Sequence, residues 1–338
     1  MCGGELMDEL DWLVPSALLT AFLAALAFVL TPIAGFDSPP DFLGSLIKWI
    51  FLSLSIGLFL AMAKWLSLMV AKDRPDFGTL VGRVRQNARA ISCIAAGMVL
   101  AGLDMIFFMR VKPLLTALAP FWADPILADM DSWLFGRDPW RFFEGMNLDF
   151  MALTYNLYWA FAFMFTLIWL FAQPRSAGRS ACIINYFALW SVFGPVGQYL
   201  FSAAGPIFFG RIGLGDRFEP LRANIPEVTN RISNYLWKAY DTSELTFAAG
   251  ISAMPSMHIA IAAWIVIVFA EHRSRMTPLA VLFTLYLWAG SVALGWHYAL
   301  DGLAGMIGAV AVHALCRAYV RRRQVMEIST VAAAPALS

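Results

Sequence analysis

The chain has 338 residues, 60% of them hydrophobic and only 14% charged, with a formal net charge of +1 and a mean hydropathy of +0.68. Soluble domains carry roughly 25% charged residues, so this composition excludes a water-soluble globular domain. The near-neutral balance also gives no footing for nucleic-acid binding.

Stretches free of charge run over 12–36, 150–174, 180–210, 245–270 and 276–300. Each exceeds the roughly 18 residues that mark a candidate transmembrane helix, and the strand alternation of a membrane barrel is absent. The expected fold is all-α: a polytopic membrane helical bundle with spans near 12–35, 44–70, 91–111, 149–172, 181–204, 255–271, 277–295 and 298–316. The start is acidic (Glu5, Asp8, Glu9, Asp11), which argues against a cleaved signal peptide. Lys48 and Lys64 fall in the second span, and Asp104 and Arg110 in the third. Basic residues gather in 71–89 (Lys72, Arg74, Arg83, Arg85, Arg89), in 173–179 (Arg175, Arg179), in 272–276 (Arg273, Arg275) and after the last span (Arg317, Arg321, Arg322, Arg323). Eight spans put all four segments on one side, and the positive-inside rule makes that side, with both termini, cytoplasmic. Cys2, Cys93, Cys182 and Cys316 fall at that end, with neither a disulfide framework nor metal-ligand spacing. The tail 324–338 has no pattern and reads as disordered.

Two long segments face outward. The first, 112–148, interleaves apolar residues with Asp124, Asp129, Asp131, Asp138, Arg137 and Arg141, and carries Trp122, Trp133 and Trp140. It reads either as short helices lying on the membrane surface or as a connector with aromatic anchors. The second, 205–254, carries Arg211, Arg217, Arg222, Arg231 and Lys238 against the positive-inside trend. A phosphate ligand or anionic headgroup would explain them; pairing with Asp216, Glu219, Glu227, Asp241 and Glu244 is the plainer reading for most.

The four histidines sort by depth. His272 is cytoplasmic, and His313 lies 16 residues past His297, roughly 24 Å deeper along a helix, and reads as a satisfied intramembrane histidine. His258 and His297 both fall at outward helix ends. Asp301 follows His297 by four residues in GWHYALDGLAG, so within a helix the two share a face. A carboxylate there can take a proton from one imidazole nitrogen and leave the other free to attack. In GISAMPSMHIA, residues 250–260, Pro255 suits a first helical turn. The amides of Ser256, Met257 and His258 then lack intrahelical partners and form an anion site, to which Ser256 adds a hydroxyl. The plainer alternative is an ordinary helix start with Ser252 as N-cap.

Together these residues resemble the type-2 phosphatidic acid phosphatase superfamily. Its PSGH motif is matched by Pro255-Ser256-Met257-His258 and its HxxxD motif by His297 to Asp301. The resemblance implies a six-helix catalytic core over 91–323, with two leading helices and a basic loop in 1–90. It also implies phosphoester chemistry on a lipid substrate through a phosphohistidine, without metal or other cofactor. His297 is then the nucleophile, Asp301 its orienting partner and His258 the general acid, with Ser256 and the backbone near Met257 on the phosphate oxygens. Two departures stand out: Ser291 occupies the place of the superfamily's Arg six residues before the nucleophile, and the KxxxxxxRP motif is missing. The one Arg-Pro, Arg74-Pro75, lies on the wrong side, with Ser67 where the Lys belongs. Arg211, Arg217 and Lys112 are the candidates for the missing phosphate clamp.

Gly205-Pro206, the SAMPSMH form of the second motif and the KPLL…PFWADP…DPW loop are similar to the inositol phosphorylceramide synthase branch, whose members move a phospho-headgroup between lipids. A lipid headgroup phosphotransferase is therefore favoured slightly over a lipid phosphate phosphatase, in a bacterial inner membrane with the site facing the periplasm. A transporter or flippase using Lys48, Lys64, Asp104 and Arg110 is the alternative of another class, and a scaffold with a relic site is a third.

Overall fold

The computed structural model describes residues 9–36, 42–70, 77–243 and 249–333. Glu5, Asp8, Lys72, Arg74 and Glu244 lie outside these residues, and so does Cys2. The described residues form helices joined by turns and loops and contain no strand. In chain order the α-helices are α1 (Leu10–Ile33), α2 (Phe42–Val70), α3 (Phe77–Gln86), α4 (Ala88–Leu118), α5 (Asp124–Phe135), α6 (Asp149–Ala172), α7 (Ala177–Ala188), α8 (Gly194–Leu200), α9 (Glu219–Ala223), α10 (Glu227–Asp241), α11 (Met257–Glu271), α12 (Thr277–Ala293) and α13 (Ala299–Ala333). A π-turn, Leu189–Phe193, joins α7 to α8 into one rod, and 3-10 turns occupy Pro139–Phe143 and Pro206–Phe208.

Among the described residues, six helices are long and apolar enough to cross a membrane: α1, α2, α4, α6, the α7–α8 rod and α13. The shorter apolar helices α11 and α12 bring the set to the eight expected segments. Two boundaries differ from expectation. The third segment does not end at 111 but runs to Leu118. Residues 324–333, expected to be disordered, continue α13. They are rich in good helix formers, and a helix satisfies its own backbone.

Helix α11 is apolar all round, and such a helix must be buried all round. Ile259 through Ile265, Val268 and Phe269 are indeed buried, enclosed by α6, α7, α12 and α13. A glycine lets α13 come close: a Cβ on Gly305 would stand 2.6 Å from the carbonyl oxygen of Ser256. That contact sets the start of α13 beside the start of α11.

Two polar clusters mark the opposite end of the bundle. Glu9 accepts from Arg175 (3.1 Å), Arg179 (2.9 Å) and the indole of Trp12. Glu271 accepts from Arg317 at 2.8 Å, with His313 Nε2 at 3.5 Å. Gly178 packs on Glu271, so the two clusters adjoin. Two of the charges inside the bundle, Asp104 and Arg110, have polar partners. Asp104 accepts from Ser191 in the π-turn (2.7 Å) and Thr20 in α1 (3.1 Å), and Arg110 donates to Thr31 (3.4 Å). The bonds to Thr20 and Thr31 tie α1 to α4.

Candidate active site

His297 sits in the tight link between α12 and α13. The carbonyl of Ser291 accepts the amides of both Trp296 (3.0 Å) and His297 (3.2 Å), which folds the link back over the end of α12. Ser291 is fully buried, and its hydroxyl donates to Trp288. The position that carries an Arg in the resembled motif is thus a buried backbone cap. Gly205 (φ +99°) passes close beneath the link: a Cβ there would stand 2.5 Å from the carbonyl oxygen of Trp296.

The His297 ring is buried, and its Nδ1 lies 2.8 Å from the carbonyl oxygen of Ala253. A carbonyl only accepts, so Nδ1 carries the proton and Nε2 keeps its lone pair. Asp301 Oδ2 stands 3.5 Å from the same Nδ1 and accepts the Tyr298 amide at 2.8 Å. The nearer orienting partner is therefore a backbone carbonyl of the 250–260 segment, and the carboxylate reinforces it. His297 precedes the helix, which begins at Ala299, so the two do not share a helical face as the spacing suggested.

His258, in the first turn of α11, lines the same cavity as His297, a space of about 350 Å³. Its ring stacks on Tyr155 (centroids 5.3 Å apart) and lies tilted against Trp159 (4.4 Å), both from α6, and Trp159 Nε1 donates to the His258 carbonyl at 3.1 Å. Lys112, from the extended end of α4, is the one Lys or Arg lining this cavity among the described residues. Elsewhere the wall is mostly aromatic and aliphatic, with Phe108, Trp190, Phe208, Tyr235 and Leu236. Met257 and Ser252 also line it.

Three expected phosphate ligands stand elsewhere. Ser256 does not line the cavity: its amide donates to the carbonyl of Asp301 (3.1 Å), and its hydroxyl is buried without a partner among the described residues. The amide counted toward the anion site is spent on pairing α11 with α13. Arg217 is fully engaged by Asp129 (2.6 Å), Asp138 (2.7 Å) and the carbonyl of Ala128 (2.9 Å). Asp138 raises the Arg217 pKa further above its ordinary value. Arg211 donates to Asn234 of α10 and lies over the Trp237 ring at 5.6 Å. Neither arginine lines the cavity, and neither bonds an acid of its own segment: Arg217 pairs with acids of the first outward segment, and Arg211 with a neutral amide.

Two acids not singled out in the sequence close the site from behind. Asp131 accepts the amides of Ala299 (2.6 Å) and Leu300 (3.0 Å). Burial pushes its carboxyl up to about 6, the two amides pull it back, and Asp301 and Asp138 add to the rise. Asp124 accepts the amides of Ala204 and Gly205 (each 2.8 Å) and the hydroxyl of Tyr298 (2.9 Å), and burial raises its pKa as well. The signal for them was present: seven residues apart, they share a helical face with Leu127 and Ala128, opposite the exposed Ile126, Met130 and Trp133.

No curated protein and no solved structure matches the chain. A family model described as the PAP2 superfamily matches residues 138–315, more than half of the chain, and the match takes in His258, His297 and Asp301. This match and the apolar helices agree on an integral membrane enzyme: the chain belongs to the PAP2 superfamily, whose members carry out phosphatase and phosphotransferase chemistry on lipid phosphoesters.

Proposed function

We propose that the chain is a lipid headgroup phosphotransferase, similar to the inositol phosphorylceramide synthase branch, that works through a phosphohistidine on His297. The observation that carries this reading is the bond from His297 Nδ1 to Ala253, which leaves Nε2 as the nucleophile in a cavity shared with His258 and Lys112. Nε2 attacks the phosphorus, the bond to the leaving alkoxide breaks, and His258 delivers a proton to that oxygen. In the second half His258 takes the proton of an acceptor hydroxyl, which attacks the phosphohistidine and releases His297. Lys112 supplies positive charge for the phosphate oxygens, the part given to arginines in the resembled motifs. Asp301 holds the link that carries the nucleophile.

The aromatic and aliphatic wall suits a lipid tail and limits water near the phosphohistidine. The site lies at the end of the bundle remote from Arg175, Arg179 and Arg317, and those basic segments are cytoplasmic under the positive-inside rule. The site then faces the periplasm and outer leaflet of a bacterial inner membrane, with both termini inside.

The test is purified protein given a lipid phosphodiester with and without a lipid alcohol, products being read by mass spectrometry. Headgroup transfer to the alcohol supports this reading. Release of the free phosphorylated headgroup at the same rate with and without alcohol makes the enzyme a hydrolase.

A further inference from the structure

Helix α13 begins at Ala299, two residues after His297, and its first amides have no partners within the helix. Two of them are met by one carboxylate from a distant part of the chain. Asp131 is 2% exposed, and each of its oxygens takes one amide, from Ala299 and from Leu300. Such charge-assisted bonds at a helix N-terminus are among the stronger ones a side chain can make. Asp131 belongs to α5, whose other face is apolar and exposed: Trp133 is 84% exposed, and Ile126 and Met130 about half. Asp124 and Asp131 therefore point into the protein, while Asp129 stays exposed and the greasy side points outward. Beside Asp131 a space of about 10 Å³, room for about one water, is lined by Asp138, Trp140, His297 and Tyr298. The backbone that carries His297 is thus held at one end by Ser291 and at the other by Asp131.

We propose that Asp131 is a positioning residue of the transfer step, which holds the His297 link in line for attack by clamping the first two amides of α13. This rests on His297 being the nucleophile. Without the clamp the link gains freedom, and a displacement of about 1 Å at a reacting atom costs about 10²-fold in rate. Asp131 does not line the cavity with the aromatic wall, so binding of the lipid tail is left alone.

The test uses the full chain purified in detergent, with short-chain phosphatidylinositol and short-chain phosphatidic acid as probes. Asp131→Asn keeps the shape but has one acceptor oxygen and no charge. It is expected to lower kcat about 10²-fold with KM within about threefold, and Asp131→Glu should recover part of kcat. Hydrogen exchange over residues 295–302 should rise in Asp131→Asn while α6 and α11 keep their protection. Unchanged exchange in that segment overturns the clamp, and raised exchange with unchanged kcat overturns its part in positioning. Should Asp131→Asn not fold, Asp131→Glu alone decides: raised exchange and reduced kcat support the proposal, and wild-type values for either overturn it. If His297→Ala keeps full turnover, the nucleophile assignment fails instead, and the exchange measurement still reports on the clamp.

Discussion

The carbonyl oxygen of Ala253 stands 2.8 Å from Nδ1 of His297 across 44 residues of chain. This bond joins the two segments that carry the histidines and fixes which imidazole nitrogen is free. It also makes the segment before α11 part of the support of His297 rather than only a helix start.

His258 is expected to act as an acid on the leaving oxygen. His258→Ala should lower turnover of a lipid phosphoester by about 10²–10⁴-fold. The loss should shrink sharply for a substrate with a nitrophenol leaving group, which departs without a proton. An equal loss on both substrates would mean that His258 binds rather than protonates.

Lys112 should carry the charge that the missing arginines carry elsewhere in the family. Lys112→Met, similar in length but neutral, should reduce kcat by about 10²–10³-fold. Steady-state kinetics on the purified variant checks this, and unchanged kcat would remove Lys112 from the phosphate site.

Arg217 gives the opposite pattern. Its bonds to Asp129 and Asp138 brace α5 against the loop before α9. Arg217→Ala should cost on the order of 2 kcal/mol of stability, seen as a lower Tm in detergent, while KM for the lipid stays unchanged. A large rise in KM without a fall in Tm would return Arg217 to the phosphate.

Asp131 adds a pH dependence. Its folded pKa of about 6 lies above the ordinary 3.8 because it is buried. The stability it contributes is therefore fully present below about pH 4 and lost as the pH rises through 6, and ionising it in place costs on the order of 3 kcal/mol. Between pH 4 and 7 the wild type should lose more stability than Asp131→Asn, as read from Tm in detergent. Parallel curves would mean that Asp131 titrates normally.

The helices, and the shared cavity of His258 and His297, were legible because their signals are local. Apolar length marks a span, and His258 and His297 stand at helix ends that topology puts on one side. What was not legible depends on partners far along the chain. Arg110 and Lys112 read as the end of a span, yet α4 continues to Leu118, since Arg110 finds Thr31 and Lys112 finds a cavity. Arg211 and Arg217 read as spare cations because their partners, Asn234, Asp129 and Asp138, come from other elements. Asp124 and Asp131 read only as part of a segment of surface helices or a connector, although their seven-residue spacing opposite an apolar face already described a helix turned with these two acids inward.

The most direct measurement is to trap the phosphorylated enzyme by rapid acid-free denaturation after exposure to a lipid labelled with radioactive phosphorus. The label should be stable to alkali, labile to acid, confined to His297 and absent from His297→Ala. A label on another residue, or full turnover in His297→Ala, would contradict the phosphohistidine mechanism.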